Sequence, residues 1–186
     1  YQIKKSETVT YNFTMQNDFT DISQLAEGNV FSSYNSLFRG QRNLENALSQ
    51  THSLRYFKFN MFNQTNISGF VNYNKRVDAV KRIASFDGIN QTSTPFNSNF
   101  ADETFSGFFR YGRSFARFYK ASVSANLSWS KQNNIQVDRS TQAQIFTAPE
   151  TFTQGYNFSF STNFKNLPSL EMGYGVTINE YQNDVF

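Results

Sequence analysis

The sequence predicts an all-β, antiparallel fold in which about seven meandering strands form a segment of a transmembrane β-barrel. Three observations lead there. Apolar side chains recur with period two, one clear row has the length and aromatic ends of a bilayer crossing, and the connections alternate between short and long.

The rows follow one another along the chain. Val9, Tyr11, Phe13 and Met15 alternate with Thr8, Thr10, Asn12 and Thr14. Successive side chains of a strand point to opposite faces, so this alternation is a strand with one apolar face. Leu54 and Tyr56 mark a second strand, and Ile67, Gly69, Val71 and Tyr73 a third. Phe105, Gly107, Phe109 and Tyr111 give the fourth. Tyr119, Ala121, Val123, Ala125, Leu127 and Trp129 form the fifth, against Lys120, Ser122, Ser124, Asn126 and Ser128 on the other parity. Tyr156, Phe158 and Phe160 mark the sixth, and Leu170, Met172, Tyr174, Val176 and Ile178 the seventh. Helical periodicity is nearly absent, a short turn at "NLENALS", residues 43–49, being the one exception expected.

The fifth row carries the membrane reading. Tyr119 and Trp129 are ten residues apart, about 33 Å of strand, or about 25 Å along the normal at a tilt of about 40°. That is the height of an outer-membrane barrel's apolar band. Tyr and Trp at its ends are the rings favoured at membrane interfaces, and its middle is small or aliphatic. The candidate lipid-facing residues are therefore Tyr119, Ala121, Val123, Ala125, Leu127 and Trp129, joined on the seventh strand by Met172, Tyr174, Val176 and Ile178.

Three links are a few residues long, around "NMFNQ", "GRSFA" and "KNLPS", where Pro168 suits a tight turn. The other three, residues 16–48, 82–98 and 132–152, are long and rich in Asn, Gln, Ser, Thr, Asp and Gly. Outer-membrane barrels are built this way, with the short turns periplasmic. In the last long link "NNIQV" and "QAQIF" are expected to extend strands five and six as a hairpin with its tip at residues 138–141.

Composition agrees. A barrel wall shows lipid only every second residue, so a mean hydropathy of −0.57 and 38% hydrophobic residues are compatible with a membrane protein that has no long apolar run. Asn, Ser, Thr and Gln occupy the alternate positions, which suggests a wet lumen. With no cysteine there is neither a disulfide framework nor a thiol metal site. The net charge of +3 is too mild and dispersed for a nucleic-acid footprint. The densest basic stretch, "RYGRSFARFYK" at residues 110–120, reads as a charged barrel rim. The chain opens at Tyr1 and stops at "NEYQNDVF" without a turn, which is read as a fragment of a longer wall.

Nothing points to catalysis, a metal or a cofactor. His52 is the only histidine, so no histidine-based triad or multi-His site can be assembled; it is expected at an interface or in the lumen. Asp102 with Glu103, and Asp18 with Asp21, are the acidic pairs that could hold Ca²⁺, but neither has metal-loop spacing. The sequons at Asn66 and Asn126 are what a chain rich in Asn, Ser and Thr makes by chance, and "FSGFFRYG" lacks the context of a phosphate loop.

Several stretches resemble the TonB-dependent receptor superfamily and the related outer-membrane β-barrel family of Bacteroidota. They are "FRGQRNLENALSQTHSLRYFKFNMFNQTNISGFVNYNK", residues 38–75, "ANLSWSKQNN" and "YNFSFSTNFKNLPSLEMGYGVTIN". Gln41, Arg42, Glu45 and Asn46 depart from the Asn-Pro and Pro-Glu of the commoner receptor pattern, which leaves the subfamily open. The resemblance implies a non-enzymatic receptor in the bacterial outer membrane, with these residues forming roughly a third of a wall of about 22 strands. It implies import of an iron chelate, a cobalamin or a glycan. Its partners would be outer-membrane lipid, an energy-coupling inner-membrane protein reached through a plug outside this chain, and a surface lipoprotein. Two alternatives stay open: a complete eight-stranded barrel with a structural or adhesive role, and a secreted β-sandwich that binds glycans.

Overall fold

The computed structural model describes residues 2–4, 6–116, 118–138, 141, 143–164 and 168–185. In chain order the elements are β1 (Gln2–Lys4), β2 (Glu7–Asp18), α1 (Ile22–Leu25), β3 (Asn29–Ser33), β4 (Ser36–Arg39), β5 (Ala47–Asn60) and β6 (Thr65–Val77). They continue as β7 (Val80–Asp87), β8 (Asn90–Asn97), β9 (Asp102–Phe115), β10 (Tyr119–Lys131), β11 (Asn134–Val137), β12 (Gln144–Thr162) and β13 (Glu171–Val185).

The fold is all-β. A nine-stranded antiparallel sheet runs β1-β2-β5-β6-β9-β10-β12, with β11 and β13 both paired to β12. Its long members, β2, β5, β6, β9, β10, β12 and β13, are the seven strands expected from the period-two rows, each next to its predecessor in that series. Among the described residues the sheet is open: β13 has β12 on one side only, and β2 has only the short β1 beyond it.

The short links are turns. Between β5 and β6, Asn60 Oδ1 accepts from Phe62 N at 2.9 Å and Asn63 Oδ1 accepts from Thr65 N at 3.2 Å, the side chain closing a turn on the backbone two residues on. Gln64 there has φ 48°, and Ala116 between β9 and β10 has φ 50°. The expected tight turn at residues 165–169 and the hairpin tip at 138–141 lie partly outside the described residues.

The long links are more ordered than expected. The first holds β3 and β4, the second is mostly β7 and β8, and the four form a separate sheet in the order β3-β4-β8-β7. Its central pair is parallel, with Leu37 opposite Thr92, and joins the first link to the second. Gly88, at φ 58°, takes the first position of the two-residue turn between Asp87 and Asn90, a place that favours glycine. The third link supplies β11, which pairs with the start of β12 as expected, Ile135 opposite Phe146. The short turn expected at residues 43–49 is instead irregular chain that enters β5 at Ala47, and the helical turn lies at α1. Asp21 caps α1, accepting from Ser23 N at 2.9 Å. Hydrogen bonds from the Ser23 backbone and then its side chain hold the Asp21 carboxyl below the usual range.

Most of the buried residues sit where these links meet the end of the main sheet. Ala47, Ala79, Pro95, Ser98, Asn133, Thr147 and Ala148 are all nearly inaccessible. Polar hubs bind the links together. Asn97 Oδ1 accepts from Glu45 N at 2.7 Å, while its Nδ2 donates to Glu45 O and Asp78 O, each at 2.9 Å. Lys81 Nζ lies 2.6 Å from Asp102 Oδ1 and also donates to Asn133 O. Asn133 N donates to the same carboxylate oxygen at 2.9 Å. The long links thus form one cap on one end of the sheet.

A two-faced sheet as the candidate functional site

Direct cross-strand partners share a face, because the side-chain period of every strand is two. The ladder pairs Val123 with Tyr111 and Phe158, Tyr111 with Ile67, and Phe158 with Tyr174. Leu54 is paired with Val71 and Tyr11. Every apolar row expected from the sequence therefore falls on the same face. The ten candidate lipid-facing residues lie on it together, Met172, Tyr174, Val176 and Ile178 standing opposite Phe160, Phe158, Tyr156 and Gln154 of β12.

This face is uncovered. Tyr11 is 59% exposed, Phe158 48% and Tyr174 72%, and among the described residues no second layer of the fold lies over them. An exposed patch of this extent on a soluble monomer would exceed what such proteins ordinarily show to water.

At the cap end the border of the face is aromatic, then charged; at the turn end charge and rings are interleaved. At the cap end the ladder aligns Phe13, His52, Tyr73, Phe105, Trp129 and Phe152 in one transverse row. Phe13 and His52 rings lie 4.8 Å apart, and His52 and Tyr73 rings 6.2 Å. Two residues further out on the same face come Lys75, Glu103, Lys131 and Glu150, alternating in sign across four strands. Lys75 lies 3.6 Å from Glu103, and Lys131 pairs with Glu150. At the other end Phe115, Tyr119, Phe160, Phe118 and Phe164 cluster, with ring separations of 5.6–6.5 Å. Charges at this end are the Lys58–Glu7 pair, 3.4 Å apart, and Arg113, which lies opposite Ala121 and two residues inward of Phe115. On β9 the charged limits Glu103 and Arg113 are ten residues apart, again about 33 Å of strand.

From β2 to β12 the face carries no formal charge between its cap-end charged row and the charges at the turn end, while on β13 Glu180 stands opposite Phe152; the polar His52 and Gln154 are each met by a tyrosine of the same face. Tyr11 Oη lies 2.8 Å from His52 Nδ1, and Tyr156 Oη donates to Gln154 Oε1 at 2.8 Å. His52 therefore belongs to the aromatic border on the apolar side.

The opposite face is polar and more crowded. Serine, threonine and asparagine dominate it, and side chains fold over glycines: a Cβ on Gly155 would meet Asn126 Oδ1 at 2.4 Å, and one on Gly175 would meet Asn157 Oδ1 at 2.6 Å. Ser122 donates to or accepts from Ser159 at 2.7 Å. A depression of about 520 Å³ spans β2, β5, β6 and β9 on this side, lined by Thr10, Asn12, Ser53, Arg55, Phe70 and Asn72 among others. The sheet thus offers a crowded, hollowed polar side and an open apolar side.

The acidic candidates do not converge. Asp102 is engaged by Lys81 and Asn133, while Glu103 points to the other face and pairs with Lys75. Asp18 pairs with Arg76 at 3.1 Å and accepts from Ser49, whereas Asp21 caps α1. Among the described residues no group of three or more His, Cys, Asp or Glu could hold a metal ion, and no helix is long and apolar enough to cross a membrane.

The shared facing of all seven rows was legible in the sequence; the charged border was not, because Lys75, Glu103, Lys131 and Glu150 lie up to 75 residues apart and only register aligns them. Compared with known proteins, the chain matches no family model, no curated protein and no solved structure.

Proposed function

We propose that this chain is a wall segment of an outer-membrane β-barrel that admits a nutrient, its apolar face turned to lipid and its polar face to a wet lumen. One observation carries the reading: an apolar face continuous across seven strands, bordered at the cap end by an aromatic row and then by charges, with a polar face behind it. A bilayer asks for these features. Lipid accepts apolar side chains, interfaces favour Tyr and Trp, and charges belong outside the hydrocarbon. The two open edges need further strands to satisfy their backbone groups in lipid, which fits a larger wall. The cap, built from the long links, is the extracellular end by the same length rule.

The transport part rests on the segments that resemble TonB-dependent receptors, and on the polar face. It is tested in cells. A strain lacking the gene should lag when an iron chelate, cobalamin or a glycan is the single limiting nutrient, on one of these and not on all. Antibody against the cap should bind intact cells. Normal growth on each limiting nutrient would contradict the transport reading, and antibody that binds only after lysis would contradict the topology.

A further inference from the structure

Some cations of the two sheets are paired and others are not. Lys58, Lys75, Arg76, Lys81 and Lys131 are each paired with a carboxylate. Arg55 and Arg110, near the middle of the polar face, have no acceptor among the described residues. The acids on that face lie toward its ends: Asp18 and Asp102 are engaged at the cap end, and Glu171 lies at the start of β13. The middle of a polar face is thus left positive.

The same place holds an apolar anomaly. Phe70 and Phe108 face each other across the β6–β9 ladder, their rings stacked with centroids 5.8 Å apart at 27°, on a face given mostly to hydroxyls and amides, with Phe57 and Phe59 further toward the turn end of β5. Phe70 remains 44% exposed. Arg55 stands directly opposite Phe70 on β5, and both line the 520 Å³ depression, a volume within the range of about 300–1,000 Å³ used for small-molecule sites. Ser53 donates to Asn72 Oδ1 at 2.9 Å, which leaves the Asn72 amide hydrogens as donors in the depression. A guanidinium presents a planar fork that matches a carboxylate, and a flat apolar platform beside it accepts the face of a ring.

We propose that Arg55, with the stacked rings of Phe70 and Phe108 beside it, forms a binding site on the polar face for a ring that carries a carboxylate. The carboxylate takes the Arg55 fork, the ring lies on Phe70, and Asn72 donates to a ring substituent. This rests on the polar face being the wet lumen wall.

The test uses the full protein in lipid nanodiscs, titrated calorimetrically with glucuronate and with benzoate, which separate a sugar acid from an aromatic acid. Glucose, benzamide and acetate supply the ring without the charge and the charge without the ring. At least one ring acid should bind at least tenfold more tightly than its neutral counterpart and than acetate. R55Q should remove that advantage, R55K should retain part of it, and Phe70→Ala should weaken the ring acid without changing acetate. Binding of acetate equal to both ring acids, or R55Q and Phe70→Ala binding as the parent does, would overturn the site. A nitroxide at Val123 in the same nanodiscs reads the wall independently: contact with lipid and no ring-acid binding sinks the site alone, whereas binding with Val123 shielded from lipid sinks the lumen reading and leaves the site.

Discussion

Trp129 stands directly opposite Phe105, and the next pair outward on the same face is Lys131 opposite Glu103. Within two residues the surface changes from aromatic to fully charged, as it would where hydrocarbon gives way to headgroups. Ala125 lies four residues inward from Trp129 on that face, and Asn126 on the other. In the complete barrel, Ala125→Arg should cost about 2–4 kcal/mol, the penalty for a charge on the lipid side at mid-depth. Asn126→Arg should cost much less, since it meets water or polar groups. Denaturant-dependent folding into bilayers measures both, and equal penalties would show that the apolar row does not face lipid.

The topology can be read from two fully exposed side chains at opposite ends of the sheet. Tyr34, in the cap between β3 and β4, is 97% exposed, and Phe62, in the turn between β5 and β6, is 102% exposed. The chain has no cysteine, so Tyr34→Cys and Phe62→Cys each introduce one thiol into it. On intact cells an impermeant reagent should label Cys at 34 and not at 62. The reverse pattern would invert the assignment of inside and outside.

The cap depends on one partly buried node. Lys81 and Asp102 side chains are only 14% and 22% exposed, and Asn133 binds both. Lys81→Met leaves the carboxylate with a backbone donor alone and should cost about 2 kcal/mol, the scale of a hydrogen bond to a charged group. The Lys58–Glu7 pair, with Lys58 40% exposed, should lose at most about 1 kcal/mol on Lys58→Met. Hydrogen exchange in the strands around each pair reads the difference, and an effect of Lys81→Met no larger than that of Lys58→Met would remove the node from the account.

Gly40 and Gly28 make a matched pair in the first link. A Cβ on Gly40 would lie 2.2 Å from Ala26 O and 2.7 Å from Gln24 O, both backbone atoms that cannot swing aside, whereas one on Gly28 would meet nothing within 4 Å. Gly40→Ala should destabilise the cap by about 1–3 kcal/mol, the usual cost of overpacking. Gly28→Ala should be near neutral. Equal exchange protection in the two variants would show that the close approach is not a constraint.

The seven strands and their common face were legible because each strand keeps one parity apolar over several residues, and a half-buried sheet has to alternate. The cap was not. In β7 the apolar residues Val80, Ile83, Ala84 and Phe86 fall on both parities, so the period-two signal is lost even though Asp87-Gly88 marks the hairpin. The parallel β4–β8 pair joins residues more than 50 positions apart through Ser36, Leu37 and Phe38, and nothing local encodes such a partner. The Arg55 site escaped for a related reason: Phe70 and Phe108 stand 38 residues apart and read singly as polar-parity interruptions.

The central claim, that one face of the sheet meets lipid and the other water, is tested most directly along β10. Single cysteines at residues 119–129 of the complete protein, each carrying a nitroxide in bilayers, report accessibility to oxygen, which concentrates in lipid, and to a water-soluble nickel chelate. The account predicts strict alternation, with oxygen reaching Ala121, Val123, Ala125 and Leu127 and nickel reaching Ser122, Ser124, Asn126 and Ser128. If the odd positions are shielded from both probes, a second protein layer covers them as in a sandwich, and the membrane reading is wrong.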